Sequence, residues 1–382
     1  MSVHTTRSLP RAAPARVLAV GAWLKNTACL LDGDTVHWSP LHGDLGTPEA
    51  CLALEASVEA LLRAAGGRVD AVAHDLHPDF ESTRLAQALA ARLGVPALPV
   101  QHHHAHIGVV QAEQGSVAPV IGLALDGVGL GTDGNAWGGE VLRVAGTDWQ
   151  RLGHLTPLAL PGGDVAAREP WRMGAAALHA LGRGEEIVPC FAPVVGERLA
   201  EGVRMMLERG LNCPTTTSTG RWFDAMAGLL RLSVRQAAEA QAAIALERAA
   251  TDWLESHAVT VPGNVSLDLR PLVSQCLERA DPGEAAARFH AGLADSLARA
   301  SIAAARIADT PTVVLGGGCF YNRLLTRRLV AALDAAGLQV QQPQGPGPGD
   351  AGLALGQAWI AADALARGLI DTTRTEEIAA CA

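Results

Sequence analysis

The chain has 382 residues, of which 49% are hydrophobic and only 4% aromatic, so it can bury a large core of mainly small aliphatic side chains. Its net charge of −9 argues against nucleic acid as the main partner, because a phosphate backbone is bound by clustered Lys and Arg. Seven scattered cysteines without a Cys-x-x-Cys pair favour reduced thiols in the cytoplasm, and no apolar run is long enough to predict a membrane span.

The first third of the chain alternates between short strands and helices. Residues 1–15 are predicted to form a flexible leader, and Lys25 is predicted to lie on the first hairpin turn. Thr47 is a suitable N-cap for a helix that ends before Gly66-Gly67. The predicted strands are 16–24, 27–31, 35–40, 69–73 and 97–100, and the predicted helices are 48–65 and 81–93.

The strand over 97–100 leads into Gln-His-His-His-Ala-His at 101–106, which is predicted to open a helix ending near Gly115. His102 and His106 are four residues apart, so on a helix they share one face and can bind one metal ion together. Asp126 follows the apolar strand 120–125, where a Gly-rich loop begins. Two imidazoles and a carboxylate suit iron or zinc. The alternative is that the histidines only decorate a polar helix start.

The opening pattern of strand, turn, strand and strand then occurs a second time, over 120–125, 137–144 and 150–158. The repeat predicts a duplicated, bilobal α/β fold of the actin and hexokinase type, with nucleotide held in the cleft between the lobes. We expect an N-terminal lobe over 16–116 and a C-terminal lobe over 117–382, including a mainly helical insert at about 165–308. Within that insert, 256–280 is less regular and is compatible with short paired strands.

A third informative segment lies near the end of the chain. The strand over 312–315 runs into Gly316-Gly-Gly-Cys-Phe-Tyr-Asn322 and then into a helix, an arrangement that brings backbone N–H groups to an anion. It predicts nucleotide contacts from Gly317, Gly318 and Asn322. Asp350 opens the last helix, and the residues alone leave two roles open for it, N-cap or fourth metal ligand.

Several of these segments resemble the C-terminal half of HypF, the hydrogenase maturation carbamoyltransferase family, and the similarity extends from about residue 16 to 366. The His-x-x-x-His and Gly-rich signals are shared with TsaD-type threonylcarbamoyl transferases and antibiotic O-carbamoyltransferases, whereas the Gly-Gly-Asp…Arg-Glu-Pro-Trp-Arg string is specific to HypF. The matching stretches are 24–27, 43–45, 75–79, 101–107, 125–131, 161–172, 220–225, 289–290 and 316–324.

The resemblance implies a TsaD-like ASKHA fold that binds a carbamoyl adenylate, or ATP or AMP, beside one iron or zinc ion. By motif match the ligands would be His102, His106, Asp126 and Asp350. The acceptor in this family is the C-terminal cysteine thiol of HypE. Full-length members also carry acylphosphatase, zinc-finger and YrdC-like domains, none of which is recognisable here. We therefore expect a separate protein to supply the adenylate.

The same comparison gives roles to the remaining candidates. Lys25 would be a catalytic cation for the carbamoyl or phosphate group, or else a solvated turn lysine, and Asp126 would be catalytic as a metal ligand. Backbone N–H groups would stabilise the oxyanion and phosphate, and three side chains would contact nucleotide or substrate. The N–H groups belong to Gly127, Gly129, Gly162 and Gly163, and the side chains to Asp164, Arg168 and Glu239.

The chain departs from the family pattern at three places. Gly316 stands where serine is usual, Ala238-Glu239-Ala240 where Tyr-Glu-Gly is usual, and Gly349 where asparagine is usual. Other functions remain compatible with the pattern: a sugar or acetate kinase, an O-carbamoyl or tRNA threonylcarbamoyl transferase, or a scaffold that only docks HypE. A bound transition metal would separate the transferases from the kinases.

Overall fold

The structure, a computed structural model, describes residues 5–260 and 266–369 and contains two mixed sheets. In the first sheet the order is β1-β4-β3-β2-β5-β6; β2, β3 and β4 form an antiparallel meander, and β5 and β6 run parallel to β2. The strands are β1 (Thr5–Ser8), β2 (Val17–Ala19), β3 (Cys29–Asp32), β4 (Thr35–Trp38), β5 (Ala71–Asp75) and β6 (Ala97–Val100).

The second sheet repeats this arrangement. Its strands β7, β8 and β9 form an antiparallel meander, and β12 and β13 follow in parallel beside β7. The order β9-β8-β7-β12-β13 therefore matches β4-β3-β2-β5-β6, which confirms the predicted duplicated fold. The strands are β7 (Val120–Leu130), β8 (Ala136–Ala145), β9 (Asp148–His154), β10 (Leu158–Ala159), β11 (Thr215–Thr216), β12 (Thr312–Gly316) and β13 (Gln339–Gln341).

The described chain also contains helices, and most of them lie in the insert between β9 and β12. The first begins as predicted, because the Thr47 hydroxyl accepts a hydrogen bond from the Ala50 N–H at 3.3 Å. Outside the insert are α1 (Pro48–Ala64), α2 (Glu81–Leu93), α3 (His102–Glu113), α12 (Arg323–Ala335) and α13 (Leu353–Ala366). The insert contains α4 (Asp164–Arg168), α5 (Pro170–Ala180), α6 (Ile187–Val195), α7 (Glu197–Arg209), α8 (Thr219–Leu229), α9 (Gln241–Leu254), α10 (Arg270–Leu277) and α11 (Pro282–Ile307).

Helices α3 and α13 lie against each other between the two sheets. They approach closely at two glycines: a Cβ on Gly356 would collide with the carbonyl of Ala105, and one on Gly108 would lie 2.7 Å from Ile360. Every residue of α3 is buried, so the alternative of histidines on a polar helix start is wrong. None of the described helices has the length and apolar character that a membrane span requires.

The C-terminal helix corrects the predicted lobe boundaries. Leu355 and Trp359 of α13 belong to the same buried cluster as Val17, Ala19 and Leu31 of the first sheet. The expectation that 117–382 forms one C-terminal lobe is therefore wrong for α13, which is apolar on all sides because it packs between that sheet and α3. The end of the predicted lobe, 370–382, lies outside the described residues.

Three local predictions also differ from the structure. The leader is not flexible over its described part, because Thr5–Ser8 pairs with β4 and Leu9 is buried beside it; residues 1–4 lie outside the described range. The predicted loop after Asp126 is instead a continuation of β7 to Leu130, with a register shift between Leu125 and Gly129. The suggested strands in 256–280 are wrong where the structure describes α10, and 261–265 cannot be compared.

Candidate functional site

Two histidines and two aspartates meet where the helix pair α3 and α13 faces the end of β7. The Nε2 atom of His102 is 3.2 Å from Oδ2 of Asp126 and 3.7 Å from Oδ1 of Asp350. The Nε2 atom of His106 is 3.3 Å and 3.4 Å from the same two oxygens. One potential ligand atom from each residue therefore lies within 4.8 Å of the others, as the resemblance implied.

Local structure explains how each of the four side chains reaches this point. Gln101 caps α3 by accepting the His104 N–H at 2.8 Å, which starts the helix so that His102 and His106 project from one face. The N–H of Gly318 donates to Oδ1 of Asp126 at 3.1 Å and leaves Oδ2 toward the imidazoles.

Asp350 begins a short 3-10 turn, Asp350–Gly352, which continues into α13. Neither this turn nor α13 has a side-chain cap hydrogen bond. Of the two roles that the sequence left open for Asp350, the structure therefore favours the one in which its carboxylate faces the imidazoles.

The charges at this cluster depend on one another. Burial alone would favour neutral rings, but the carboxylates of Asp75, Asp126 and Asp350 raise the pKa of His102 well above its ordinary value. Burial likewise opposes ionisation of Asp126, yet its hydrogen bonds to His102 and His106 lower its pKa well below the usual range. The cluster therefore stabilises positive charge at its centre.

The donor set fits a bound metal ion. Nδ1 of His102 is 2.7 Å from the buried carboxylate of Asp75, which holds a proton at Nδ1, so once a cation replaces the proton at Nε2 this atom can donate its lone pair to the cation. Two buried carboxylates lie opposite the two Nε2 atoms, and a cation satisfies all four groups at once. Imidazole and carboxylate ligands suit iron or zinc.

A cavity of about 720 Å³ opens beside the four residues. A volume of this size is within the range of small-molecule sites, roughly 300–1,000 Å³. Two of the metal-ligand candidates, Asp126 and Asp350, form part of its wall. The other predicted site residues that line it are Lys25, Gly127, Arg168, Glu239, Gly318 and Asn322.

Five predicted contact residues lie outside the cavity wall: Gly129, Gly162, Gly163, Asp164 and Gly317. Gly129 lies under the imidazoles, because a Cβ there would be 2.6 Å from Cε1 of His103 and 2.7 Å from Cδ2 of His102. Gly317, with φ of +106°, packs against the Leu125 backbone. Both glycines serve close packing beneath the site. The contact of residues 162–164 with a nucleotide stays a prediction.

Asn322 is largely occupied by its own surroundings. Its Oδ1 caps α12 by accepting the Leu325 N–H at 2.9 Å, and its Nδ2 donates to Nε2 of His290 at 3.0 Å. One amide hydrogen remains for a ligand. Lys25 also has a partner, since Nζ is 2.8 Å from Oε1 of Glu239 across the mouth of the cavity.

Sequence reasoning missed the roles of two aspartates, although both lie in stretches that carry the family resemblance. Asp75 ends β5, which runs parallel to β6, and β6 leads directly to His102; the ends of neighbouring parallel strands lie at one edge of a sheet. Asp224 on α8 is 1% exposed and lines the cavity; its Oδ1 accepts a hydrogen bond from the Gln236 side chain at 3.1 Å, and its Oδ2 forms an ion pair with Arg221. Burial raises its pKa, although Arg221 Nε lies 2.7 Å away. A carboxylate at a cavity wall has lone pairs left after such an ion pair and can accept a further hydrogen bond from a ligand hydroxyl or amine.

Comparisons with known proteins place this geometry among carbamoyltransferases. A family model described as "Carbamoyltransferase, Kae1-like Domain, second subdomain" matches residues 122–357, and one described as "HypF Kae1-like domain" matches residues 12–113. A Cupriavidus necator protein named "Carbamoyltransferase HypF homolog" is 58% identical over 376 residues, which cover 95% of each chain. The same organism's "Carbamoyltransferase HypF2" is 48% identical over 92% of this chain and 47% of its own length.

Two solved structures are similar over nearly the whole chain. A structure titled full-length HypF "in the phosphate- and nucleotide-bound form" superimposes with a TM-score of 0.85 at 30% identity, covering 94% of this chain and 57% of that one. A structure of T. kodakarensis HypF gives 0.87 at 31% identity, covering 97% and 50%. This chain thus spans nearly all of the first Cupriavidus relative and about half of HypF2 and of the solved proteins.

Proposed function

The chain belongs to the HypF carbamoyltransferase family, and on that premise we propose that it transfers a carbamoyl group from carbamoyl adenylate to the C-terminal cysteine thiol of HypE. In this family the carbamoylated cysteine is later dehydrated to the cyanide ligand of the [NiFe] centre. The observation that supports the proposal most strongly is the shared location of two features. Two of the four candidate metal ligands, Asp126 and Asp350, form part of the wall of a cavity large enough for an adenylate.

The proposed reaction is an acyl transfer from a mixed anhydride. The thiolate sulfur attacks the carbonyl carbon, a C–S bond forms, and the bond from that carbon to the phosphate oxygen breaks. AMP leaves with the electron pair of the broken bond, and the thiol proton is released to solvent. A metal ion held by His102, His106, Asp126 and Asp350 would supply Lewis-acid stabilisation of the developing negative charge.

The residues of the chain would assist in three ways. The Lys25 ammonium, on the rim of the cavity, would neutralise charge on the phosphate or carbamoyl oxygen. Gly127 lies in the same wall, and its backbone N–H would stabilise the same oxygens, whereas the Gly318 N–H orients Asp126. Asp75 would keep His102 in the tautomer whose Nε2 accepts a cation, through the 2.7 Å contact to Nδ1.

Nucleotide binding by this chain is supported by its likeness to a HypF crystallised with nucleotide and by the cavity itself. Arg168, Asn322 and Asp224 line the cavity and are the side chains that we expect to hold AMP. HypE as the acceptor is carried over from the family.

The proposal is tested with synthetic carbamoyl adenylate, so that the result does not depend on which protein makes it. Purified HypE is incubated with the adenylate and the chain, and its intact mass is measured. We expect HypE to gain the mass of one carbamoyl group and HypE without its terminal cysteine to gain nothing. The His106→Ala variant should lose the activity. If HypE binds the chain but is never carbamoylated, the chain is a docking scaffold and the proposal is wrong.

A further inference from the structure

An ion pair bridges two distant parts of the chain at the mouth of the cavity. Lys25 lies on the turn between β2 and β3, and Glu239 lies in the insert between α8 and α9. Their Nζ and Oε1 atoms are 2.8 Å apart, and both residues line the cavity. The side chains remain 40% and 57% exposed, so either can change partner without crossing packed protein.

The main chain on the lysine side of the bridge is held firmly. Lys25 has a φ of +42°, an unusual conformation for a residue with a side chain. Its N–H donates to Oδ1 of Asp44 at 3.0 Å, and the buried Asn26 side chain donates to the carbonyls of Val20 and Ala22 at 2.8 and 2.6 Å. Because the turn is fixed by these bonds, an exchange of partners at Lys25 is confined to its side chain.

The main chain on the glutamate side is also held, because the Ala237 N–H donates to Oε1 of Gln241 at 2.9 Å and the Ala238 carbonyl accepts the Gln241 N–H at 3.4 Å. Ala240, directly after Glu239, has a φ of +59° and precedes α9 as its N-cap without a side-chain hydrogen bond. The hydrogen bond that the Glu239 side chain makes among the described residues is the one to Lys25. An exchange of partners at Glu239 is therefore also confined to its side chain.

The charges around the bridge decide what an incoming phosphate meets. Burial disfavours the ammonium, but Glu239, Asp350 and Asp126 together raise the pKa of Lys25, so it stays charged. A phosphate that approaches this ammonium is negatively charged like Glu239, so it competes with Glu239 for the contact with Lys25. Exposed ion pairs are weak, so such an exchange is energetically accessible.

We infer that Glu239 is the resting counter-ion of Lys25, which the anionic phosphate of the substrate displaces on binding, rather than a direct contact to the nucleoside. Glu239 is then a positioning residue: it holds the ammonium at the cavity mouth before substrate arrives and gives it up afterwards. The inference rests on the proposed function, because it requires that the cavity accept a nucleotide. It replaces the nucleotide contact expected for Glu239 from the sequence.

The test compares AMP with adenosine, because only AMP carries the displacing phosphate. Dissociation constants are measured by calorimetry for the wild type, E239Q, K25M and the double variant. E239Q should bind AMP about two- to fivefold more tightly, as expected for removal of one exposed ion-pair competitor, and should bind adenosine unchanged. In the K25M background, the E239Q substitution should not change the dissociation constant for AMP.

A matched control comes from Glu247, which lines the same cavity but bonds to the Leu324 N–H at 3.0 Å rather than to a cation. If E247Q tightens AMP binding as much as E239Q, or if the E239Q gain survives in the K25M background, the effect is general electrostatics and the inference is overturned. Weaker binding of both AMP and adenosine by E239Q would show a direct nucleoside contact and also overturn it. A wild type that binds no AMP would instead overturn the proposed function.

Discussion

Replacing Asp75 with asparagine isolates the control of the His102 tautomer. Oδ1 of Asp75 accepts the His77 N–H at 3.0 Å, while Oδ2 is 2.7 Å from Nδ1 of His102. In the variant the single amide oxygen is required by the His77 N–H, so the NH₂ group faces His102. Nδ1 then has to accept a hydrogen bond, and the ring proton moves to Nε2, the atom that faces Asp126.

The expected loss of metal affinity follows from this change of tautomer. A ring protonated at Nε2 cannot donate that lone pair to a metal, and loss of a partner that orients a ligand typically lowers metal affinity about 10- to 100-fold. This corresponds to about 1.4–2.7 kcal/mol of binding free energy. Because asparagine has the volume of aspartate and Asp75 is fully buried, we expect little change in folding from packing.

The assay is a competition between the metal-free protein and a coloured zinc chelator at fixed pH. Asp79→Asn is the matched control, because it makes the same chemical change at an exposed carboxylate that pairs only with Arg84 among the described residues. The control should bind zinc as the wild type does. If Asp75→Asn also bound zinc with wild-type affinity, the assignment of Asp75 as the residue that sets the His102 tautomer would be refuted.

Three further predictions concern the surroundings of the site. Gly129→Ala should weaken metal binding and lower the unfolding free energy by about 1–3 kcal/mol, because its Cβ would lie 2.7 Å from the His102 ring. The control Gly202→Ala, where the space is open, should weaken neither metal binding nor stability. Cys319 lines the cavity, and burial raises the pKa of its thiol, so methanethiosulfonate should label it slowly. Bound AMP should slow the labelling further. Equal labelling rates with and without AMP would contradict the nucleotide site. Burial lowers the pKa of His290 to about 4, below its unfolded value of 6.5, so the neutral ring contributes stability that is lost as pH falls from 6.5 toward 4. The difference in unfolding free energy between the wild type and His290→Gln, measured by urea unfolding, should therefore shrink by about 1 kcal/mol between pH 7.5 and 5.5. A difference that stays constant with pH would refute this.

The sequence predicted the helices with strong end signals well. Helix α2 spans Glu81–Leu93 as predicted, because Gly94 adopts the left-handed conformation that ends it. Helix α11 spans Pro282–Ile307 within the predicted helical insert, because Asp281 caps it and proline occupies its first turn. Both ends depend on residues next to the helix, which a sequence displays directly.

The errors occurred where tertiary contacts outweigh local preference. The glycines after Asp126 predict a loop, but pairing with β8, such as Gly129 opposite Trp137, keeps β7 extended. Residues of α10 pack on α11, where a Cβ on Gly292 would collide with Leu272. The partner strand and the facing glycine are distant in sequence, so no local pattern indicates them.

The residues of the candidate site also fall into two groups, those that the local sequence predicts and those that it does not. The spacing of His102 and His106 predicts a shared helical face, and the apolar run 120–125 predicts the strand that carries Asp126, although β7 continues beyond it to Leu130. Asp350 could be assigned only through the family resemblance, because an N-cap explains an aspartate at a helix start equally well. The role of Asp75 depends on β5 lying beside β6, which is a property of the sheet order.

The central claim is that His102, His106, Asp126 and Asp350 hold one metal ion in the wall of the cavity that binds AMP. The most direct test is a crystal structure of the chain grown with AMP, with anomalous data collected at the iron and zinc edges. We predict one anomalous peak among these four side chains and AMP in the cavity with its phosphate within hydrogen-bonding reach of Lys25. A metal peak elsewhere in the molecule, or AMP bound outside this cavity, would contradict the account.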